Sequence, residues 1–423
     1  MVPGANMKVI HVLRRIVEEE WGGAEAVIYN YCMRLIDRGY DTPVYCTSAL
    51  SKPGPAVVRG LPVERFPYFY PYLFLSKDAR HEMDMKGGSP ISFPMFRRLL
   101  REKDVDLVHL HSMGRLGGVV RKACRKRGIP FVVSLHGGHF TIPPAEEALF
   151  QEPQKRTLCY GKPFGLYFGN RRILSDAAAI LSVGYAEHAE VEKRVSRKTA
   201  VYLPNGVDTK RFAGGAGERF RKKFGLEGKR IILCLSRIDP QKGQLYLARA
   251  LPDVLKKVPN AHVVIVGSIT IRRYHDEIVE TLKKNGVEDH ALIIPGLAPD
   301  GNDLIDAYAA CDVFALPTRH EPFGIVVLEA WAAHKPVVAS RIGGIPHFVT
   351  SGENGLLFEP HDVKGLVDSI TRVLTDEDFA KKIADNGFAE VRRTYDWNVI
   401  VDRLTQIYDR VVKGKSLDDI RRP

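Results

Sequence analysis

The strongest constraint on the fold is an alternation that runs along the chain twice. Short apolar runs, "KVIHVL", "TPVYCT", "VDLVHLH", "PFVVSLH", "AAILSV" and "TAVYLP", are separated by longer amphipathic stretches such as "AEAVIYNYCMRLIDRG", "ISFPMFRRLLREK" and "GGVVRKACRKRG". Continuous apolar runs are typical of strands buried on both faces, and parallel strands need helices to cross between them. A β-α-β series of this kind predicts a doubly wound α/β domain, with its first strand at Lys8–Leu13. At Pro204 the texture changes to the turn-rich "PNGVDTKRFAGGAGE". A second series follows: "RIILCLS", "AHVVIVG", "ALIIPG", "DVFALPT", "PVVAS" and "GLLF". The expectation is two tandem Rossmann-like domains, 1–203 and 204–396, with a tail from Asp362 that is helical throughout. Parallel sheets bind ligands beyond the carboxyl ends of their strands. With two such domains, the expected site is the interdomain cleft.

Composition narrows the class. The chain has 423 residues, enough for about two or three domains. Its 45% apolar content argues against global disorder. No run reaches the roughly 18 to 20 apolar residues of a membrane span. The start, "MVPGANMKVIHVL", lacks the features of a signal peptide, so a cytoplasmic protein is expected. The six cysteines form no C-x-x-C pair and read as free thiols in a reducing compartment. Net charge is +12, clustered in "RKACRKRG" (121–128), "EKRVSRK" (192–198) and "ERFRKKFGLEGKR" (218–230). Two readings stand: solvated helix faces, or attraction to a phosphorylated substrate or an acidic membrane surface. No RNA-binding aromatic motif or zinc finger accompanies the charge, so no nucleic-acid partner is expected.

Chemistry is sought in the loops after the strands. Gly22 and Gly23 stand just before a helix, where backbone N–H groups can approach an anion, or where the chain simply turns. The absence of G-x-G-x-x-G after any strand argues against a nicotinamide dinucleotide. His136, followed by Gly137 and Gly138, closes a strand and could bond a sugar hydroxyl or act as acid or base. His109 and His111 close the neighbouring strand, and with His139 they raise the question of a metal. No carboxylate joins them in the same loop, so structural histidines and no metal are expected. Arg237 and Lys242 in "SRIDPQKG" put two cations on one loop leading into a helix, a site for a diphosphate. In "EPFGIVVLE", Glu321 falls in the loop after an apolar strand. Gly324 lets backbone pass close to a ligand, a helix begins near Ile325, and Glu329 lies about one turn inside it. Helix N–H groups can then hold phosphate, Glu329 a ribose diol and Glu321 the hydroxyls of a sugar. The plainer alternative is a capping acid and a surface acid.

These residues resemble the retaining glycosyltransferases of family four, which have the GT-B fold. The match is distributed: "GGAE" (22–25), "HGGH" (136–139), "PNGVD" (204–208), "SRIDPQKG" (236–243), "EPFGIVVLEAWA" (321–332), "GGIP" (343–346) and "GENGLLFEP" (352–360). The resemblance implies that Gly22 and Gly23 face the donor phosphate and acceptor, and that His136 lies near the transferred sugar. It implies that Arg237 and Lys242 neutralise the leaving diphosphate, Glu321 binds the donor sugar and Glu329 the ribose. Gly296 and Leu297 would lie against the nucleobase, with Phe323, Gly324 and Ile325 giving backbone contacts. The last helix, about 397–423, would cross back onto the first domain. One departure is His347, where the family often has Glu. A second is "GSITIRRYHDE", where a glycine-rich turn is usual.

The implied reaction is metal-independent transfer with retention, from a UDP-, GDP- or ADP-sugar to a saccharide or lipid-linked acceptor in envelope polysaccharide, glycolipid or glycan synthesis. No D-x-D motif stands at a suitable strand end, and no cofactor is expected. A sugar-nucleotide 2-epimerase of the same fold and a non-catalytic sugar-nucleotide-binding protein are the alternatives. The chain is short for a pyridoxal-phosphate phosphorylase. The aromatic run "RFPYFYPYLFLSK" (65–77) reads either as a packed loop or as an acceptor surface beside an anionic membrane.

Overall fold

A computed structural model describes residues 7–421 apart from 19, 86, 138, 139, 141–156 and 299, so Gly138 and His139 lie outside the described residues. The chain divides into two compact units, Met1–Pro204 with Ile400–Pro423, and Asn205–Val399.

The first unit carries strands β1 (Val9–Val12), β2 (Val44–Thr47), β3 (Gly54–Val58), β4 (Leu61–Phe66), β5 (Tyr72–Leu73), β6 (Leu107–Leu110), β7 (Phe131–Leu135), β8 (Leu158–Cys159), β9 (Ala179–Ser182) and β10 (Ala200–Tyr202). Eight of them form one sheet in the order β10-β9-β7-β6-β1-β2-β4-β3, and β5 pairs with β8 alone. The chain starts in the middle at β1 and builds outward on both sides, so the order reverses between β1 and β6. Side chains alternate across a strand. Ile10 and Val12 enter a core with Leu110, Val133 and Ile180, while His11 takes the opposite face, in register with His109.

The second unit holds β11 (Arg230–Leu235), β12 (Ala261–Val266), β13 (Ala291–Ile294), β14 (Val313–Leu316), β15 (Val337–Ser340) and β16 (Leu356–Phe358). Their order is β13-β12-β11-β14-β15-β16, with every pair parallel. Counted within the unit this is 3-2-1-4-5-6, the Rossmann order, with its switch point between β11 and β14. Alternation is strict. Ile231, Leu233, Phe314 and Leu316 enter one core, and Ile232, Cys234, Val313 and Ala315 the other. Both faces are covered by helices, as the apolar runs require.

Two expectations need correction. The tail is not helical throughout. It breaks at Asp376, whose carboxylate caps the helix Glu377–Glu390 through Phe379 N–H at 3.0 Å. It breaks again at Asp396, which accepts from Thr209 and from the Asn398 N–H. The last long helix, Trp397–Val412, belongs to the first unit from Ile400 onward. In addition, β3 and β4 form an antiparallel hairpin that the apolar-run reading passed over. Its turn is Arg59–Gly60, both with positive φ (50° and 86°), a two-residue primed turn. Arginine is unusual there, but its guanidinium lies 4.2 Å over the Trp21 ring and pairs with Glu18.

Candidate active site

In the second unit, the loops after β11 and β14 meet at the switch point. The loop after β11 first runs beside the loop after β12. Ser236 N–H donates to Val266 O at 3.0 Å and Ile238 N–H to Ser268 O at 2.8 Å. This settles the shape of "GSITIRRYHDE", which continues the parallel pairing as far as Ile269 before a helix starts at Arg272. The carboxylate of Asp239 caps the short turn Pro240–Lys242 through Gln241 N–H at 2.9 Å. Gly243 then takes φ +71° with its backbone pressed on Pro317, where a Cβ would lie 1.9 Å from the carbonyl oxygen.

The Gln241 carbonyl binds the two loops together. It accepts from Thr318 Oγ1 at 2.9 Å and from Arg319 N–H at 2.6 Å. The result places Lys242 Nζ 2.8 Å from Glu321 Oε2, with both side chains mostly buried. Glu321 is itself fixed from behind, since its carbonyl accepts from Gly344 N–H at 2.9 Å. Arg237 lies in the same loop but is exposed, and its guanidinium has no ion-pair partner among the described residues. The structure therefore brings Lys242 and Glu321 together and leaves the Arg237 side chain free.

Gly324 has φ +103° and precedes the helix Ile325–Ala332. Helix geometry leaves the N–H groups of Ile325 and Val326 without an intrahelical acceptor, whereas that of Val327 donates to the Gly324 carbonyl at 3.0 Å. Phe323 is buried against Phe348 and Tyr395, so only its backbone can face a ligand. Glu329, four residues into the helix, accepts from Tyr308 Oη at 2.6 Å. Desolvation pushes its carboxyl up to about 7, against the opposing pull of the Tyr308 hydrogen bond and the Arg211 charge. Gly296, with φ +108°, is exposed, and Leu297 packs on the core beside it. His347 is exposed in a short turn, Ile345–His347.

In the first unit, Gly22 caps the helix Gly23–Ile36 after β1, and both glycines are exposed. The N–H of Gly22 is already bonded to Glu25 at 3.2 Å, so an anion arriving there competes with a carboxylate. His136 belongs to a larger cluster than the strand ends suggested. His11 Nδ1 lies 3.0 Å from His111 Nε2, and His111 Nδ1 lies 3.0 Å from His136 Nε2. His109 bonds Tyr408 Oη at 2.5 Å and Ser134 Oγ at 2.7 Å. The ring nitrogens of His11, His109 and His111 come within 4.8 Å of one another. Both nitrogens of His109 and of His111 are taken by protein partners, however, which does not fit a three-histidine metal centre. Burial lowers His11 to about 3 and His136 to about 4. His136 is therefore neutral near pH 7.

Much of the basic excess is structural. Arg219 pairs with Asp306, Lys223 with Asp303, and Arg221 and Arg230 with Asp312. Arg121 is buried against Asp176 and the Phe168 carbonyl. The aromatic run divides. Tyr68 and Tyr70 bond the Asp84 carboxylate at 2.6 and 2.9 Å, whereas Phe74 is 86% exposed.

Two family profiles match the chain in tandem, Glycosyltransferase Family 4 over residues 21–211 and Glycosyl transferases group 1 over 217–390. The GDP-mannose-dependent alpha-(1-6)-phosphatidylinositol monomannoside mannosyltransferase of Mycobacterium tuberculosis is 36% identical over 343 residues, 77% of this chain and 81% of the relative. The protein of the same description from Mycolicibacterium smegmatis is 30% identical over 345 residues, 78% and 83% of the two chains. The chain belongs to the family four glycosyltransferases. Anabaena Alr3699/HepE, solved with UDP, shares the fold at a TM-score of 0.70 and 21% identity, over 95% of this chain and 99% of that one. This glycosyltransferase accordingly has the GT-B architecture of two Rossmann-like domains and moves a sugar from a nucleotide donor.

Sequence reasoning missed the supporting residues of the glycosyltransferase. Tyr308 holds Glu329, the Gln241 carbonyl joins the two loops, and His11 and Tyr408 extend the histidine cluster. Only His11 carried a legible signal, a histidine on an apolar strand beside the His-x-His strand.

Proposed function

We propose that this glycosyltransferase transfers a hexose with retention of configuration and without a metal, using a nucleoside-diphosphate sugar held by the second unit. The observation that carries the reading is the Lys242–Glu321 pair, mostly buried at the switch point beside the start of the helix Ile325–Ala332. A cation, a carboxylate and unpaired helix N–H groups are what a phosphate joined to a sugar needs. Lys242 and Arg237 supply positive charge to the departing diphosphate, a role that one preorganised donor can fill to the extent of about 3 kcal/mol. Glu321 accepts from sugar hydroxyls and Glu329 from the ribose diol. In the front-face route, the leaving phosphate takes the acceptor proton, so Glu321 need not become a covalent nucleophile.

GDP-mannose is the first donor to test, because two relatives are described as dependent on it. A lipid-linked acceptor at an anionic surface follows from the first unit. Exposed apolar side chains occur there just after β5, on β8 and on the helix Lys162–Phe168: Phe74 and Leu166 at 86%, Leu158 at 61%, and Tyr167. Beside them a cavity of about 1070 Å³ is lined by Arg115, Lys122, Lys162, Arg171 and Arg172. Apolar anchors ringed by cations suit an acidic lipid interface. No helix among the described residues is long and apolar enough to cross a membrane.

A panel of GDP-, UDP- and ADP-sugars tests the donor by thermal shift, since a ligand bound only by the folded state raises the midpoint. The reading requires one base to stand out, and release of nucleoside diphosphate only when acceptor is present. Release without acceptor, or no stabilisation by any donor, overturns it. Flotation with phosphatidylglycerol and phosphatidylcholine vesicles tests the surface, with Leu166→Glu expected to abolish binding to the first.

A further inference from the structure

The histidine cluster contains a chain whose order has chemical meaning. His11, His111 and His136 are linked end to end at 3.0 Å and 3.0 Å, with ring centroids 5.3 and 5.2 Å apart. The outer nitrogens, His11 Nε2 and His136 Nδ1, are buried and have no hydrogen-bond partner among the described residues. Each neutral imidazole offers one N–H and one lone pair. In such a chain the choice at one ring fixes the other two.

Only two arrangements satisfy both links. In one, His11 donates from Nδ1 to His111 Nε2, His111 donates from Nδ1 to His136 Nε2, and His136 keeps its proton on Nδ1. In the other every bond reverses: His136 donates from Nε2, its Nδ1 is bare, and His11 carries an N–H on Nε2. The second arrangement buries an unanswered donor at His11, which is fully enclosed. The first leaves only a lone pair there and moves the unanswered N–H to His136 Nδ1. That nitrogen also lacks a partner among the described residues, but it belongs to a half-buried ring at the carboxyl end of the sheet, where a ligand can answer it. Orphaned buried N–H groups are the rarer kind, and an unmatched donor loses its hydration outright.

We propose that His11 and His111 are positioning residues that hold His136 in its Nδ1–H tautomer, so that it meets substrate as a neutral hydrogen-bond donor. The substrate part rests on the glycosyl-transfer reading, while the tautomer part stands without it. Burial lowers all three rings far enough to keep the chain uncharged near neutrality. His109 is not a member. Its nitrogens face Tyr408 and Ser134, and it only stacks on His111, with centroids 4.0 Å apart.

The test is a long-range proton–nitrogen spectrum of the full chain, ¹⁵N-labelled in its histidines, near pH 7 without substrate. His136 is expected with Nδ1 protonated and Nε2 bare. His11→Leu removes the far end of the chain. It should return His136 to a mixture of tautomers and lower kcat/KM about tenfold, the worth of one misdirected hydrogen bond. His11→Asn places an amide N–H near the former Nδ1–H and should restore both signal and rate. A purely structural His11 would lower the melting temperature and leave the tautomer unchanged. Finding the Nε2–H form of His136 in the unaltered chain overturns the proposal, and this spectrum decides alone if His11→Leu fails to fold. A folded His11→Leu protein with the original tautomer and rate overturns it equally. The expected spectrum in a protein that transfers no sugar supports the chain and removes the glycosyl-transfer reading instead.

Discussion

Lys242 and Glu321 neutralise each other before any substrate arrives, so an incoming diphosphate must draw the ammonium away from its carboxylate. Lys242→Ala and Glu321→Ala should each lower kcat by about 100- to 1000-fold. Each also leaves the partner charge partly buried and alone, which should reduce stability by about 1 to 3 kcal/mol. Circular dichroism must show both variants folded. Turnover near the unaltered rate in either would remove that residue from the reaction. Glu329 makes a separate claim about pH. Its carboxyl stands at about 7 in the folded chain against an ordinary 4.5, so the folded state holds more protons between those values. Stability must therefore fall as pH rises through that window, by up to about 3 kcal/mol. Melting curves from pH 4.5 to pH 8 should show Glu329→Gln gaining on the unaltered chain as pH rises. Parallel curves would show that the carboxyl is not raised. The Glu-x7-Glu spacing was legible because Gly324 and the apolar strand announced a loop and a helix start. The raised carboxyl was not legible, because it depends on the surrounding core that strips water from it, which no local window contains.

Elements set how tightly the site is held. Gly343, at φ +58°, lies where an added Cβ would come 2.0 Å from the Glu321 carbonyl oxygen. Gly343→Ala should push the Glu321 loop outward, costing about 2 kcal/mol or more through strain at that backbone conformation. The melting midpoint and donor affinity should fall together, and an unchanged affinity would separate the loop from the site. The β5–β8 pair makes a simpler prediction. Five of the six thiols are buried, and only Cys159 is exposed. One equivalent of rapid thiol reaction is expected in the native chain and six after unfolding. The main strands were readable as apolar runs because both faces of each sheet are covered. The β3–β4 hairpin was not, because its turn uses Arg59 where Asn or Asp would have signalled it. The break at Asp376 was hidden because capping aspartates also occur on exposed helix faces.

At the scale of the whole molecule, the first unit is built from two distant pieces of chain. From Ile400 the last long helix buries Ile400, Val401, Leu404, Ile407 and Tyr408 in that unit. Polar links reinforce it: Asp402 to Arg38 at 2.7 Å, Arg403 to the Tyr202 carbonyl at 3.2 Å, and Tyr408 to His109. At about 2 kcal/mol per buried side chain the helix contributes about 10 kcal/mol, comparable with the net stability of a domain. A chain cut after residue 396 should thus lose the cooperative melting of its first unit while the second still melts. Two intact transitions in the shortened chain would refute this. The consequence reaches back to synthesis. Translation delivers nearly two hundred residues of the second unit before the stretch that completes the first emerges from the ribosome. Nascent β1–β10 must therefore wait with its Tyr408 pocket open, and whatever shields that pocket in the interval, a chaperone or the chain's own transient collapse, governs the yield of active enzyme.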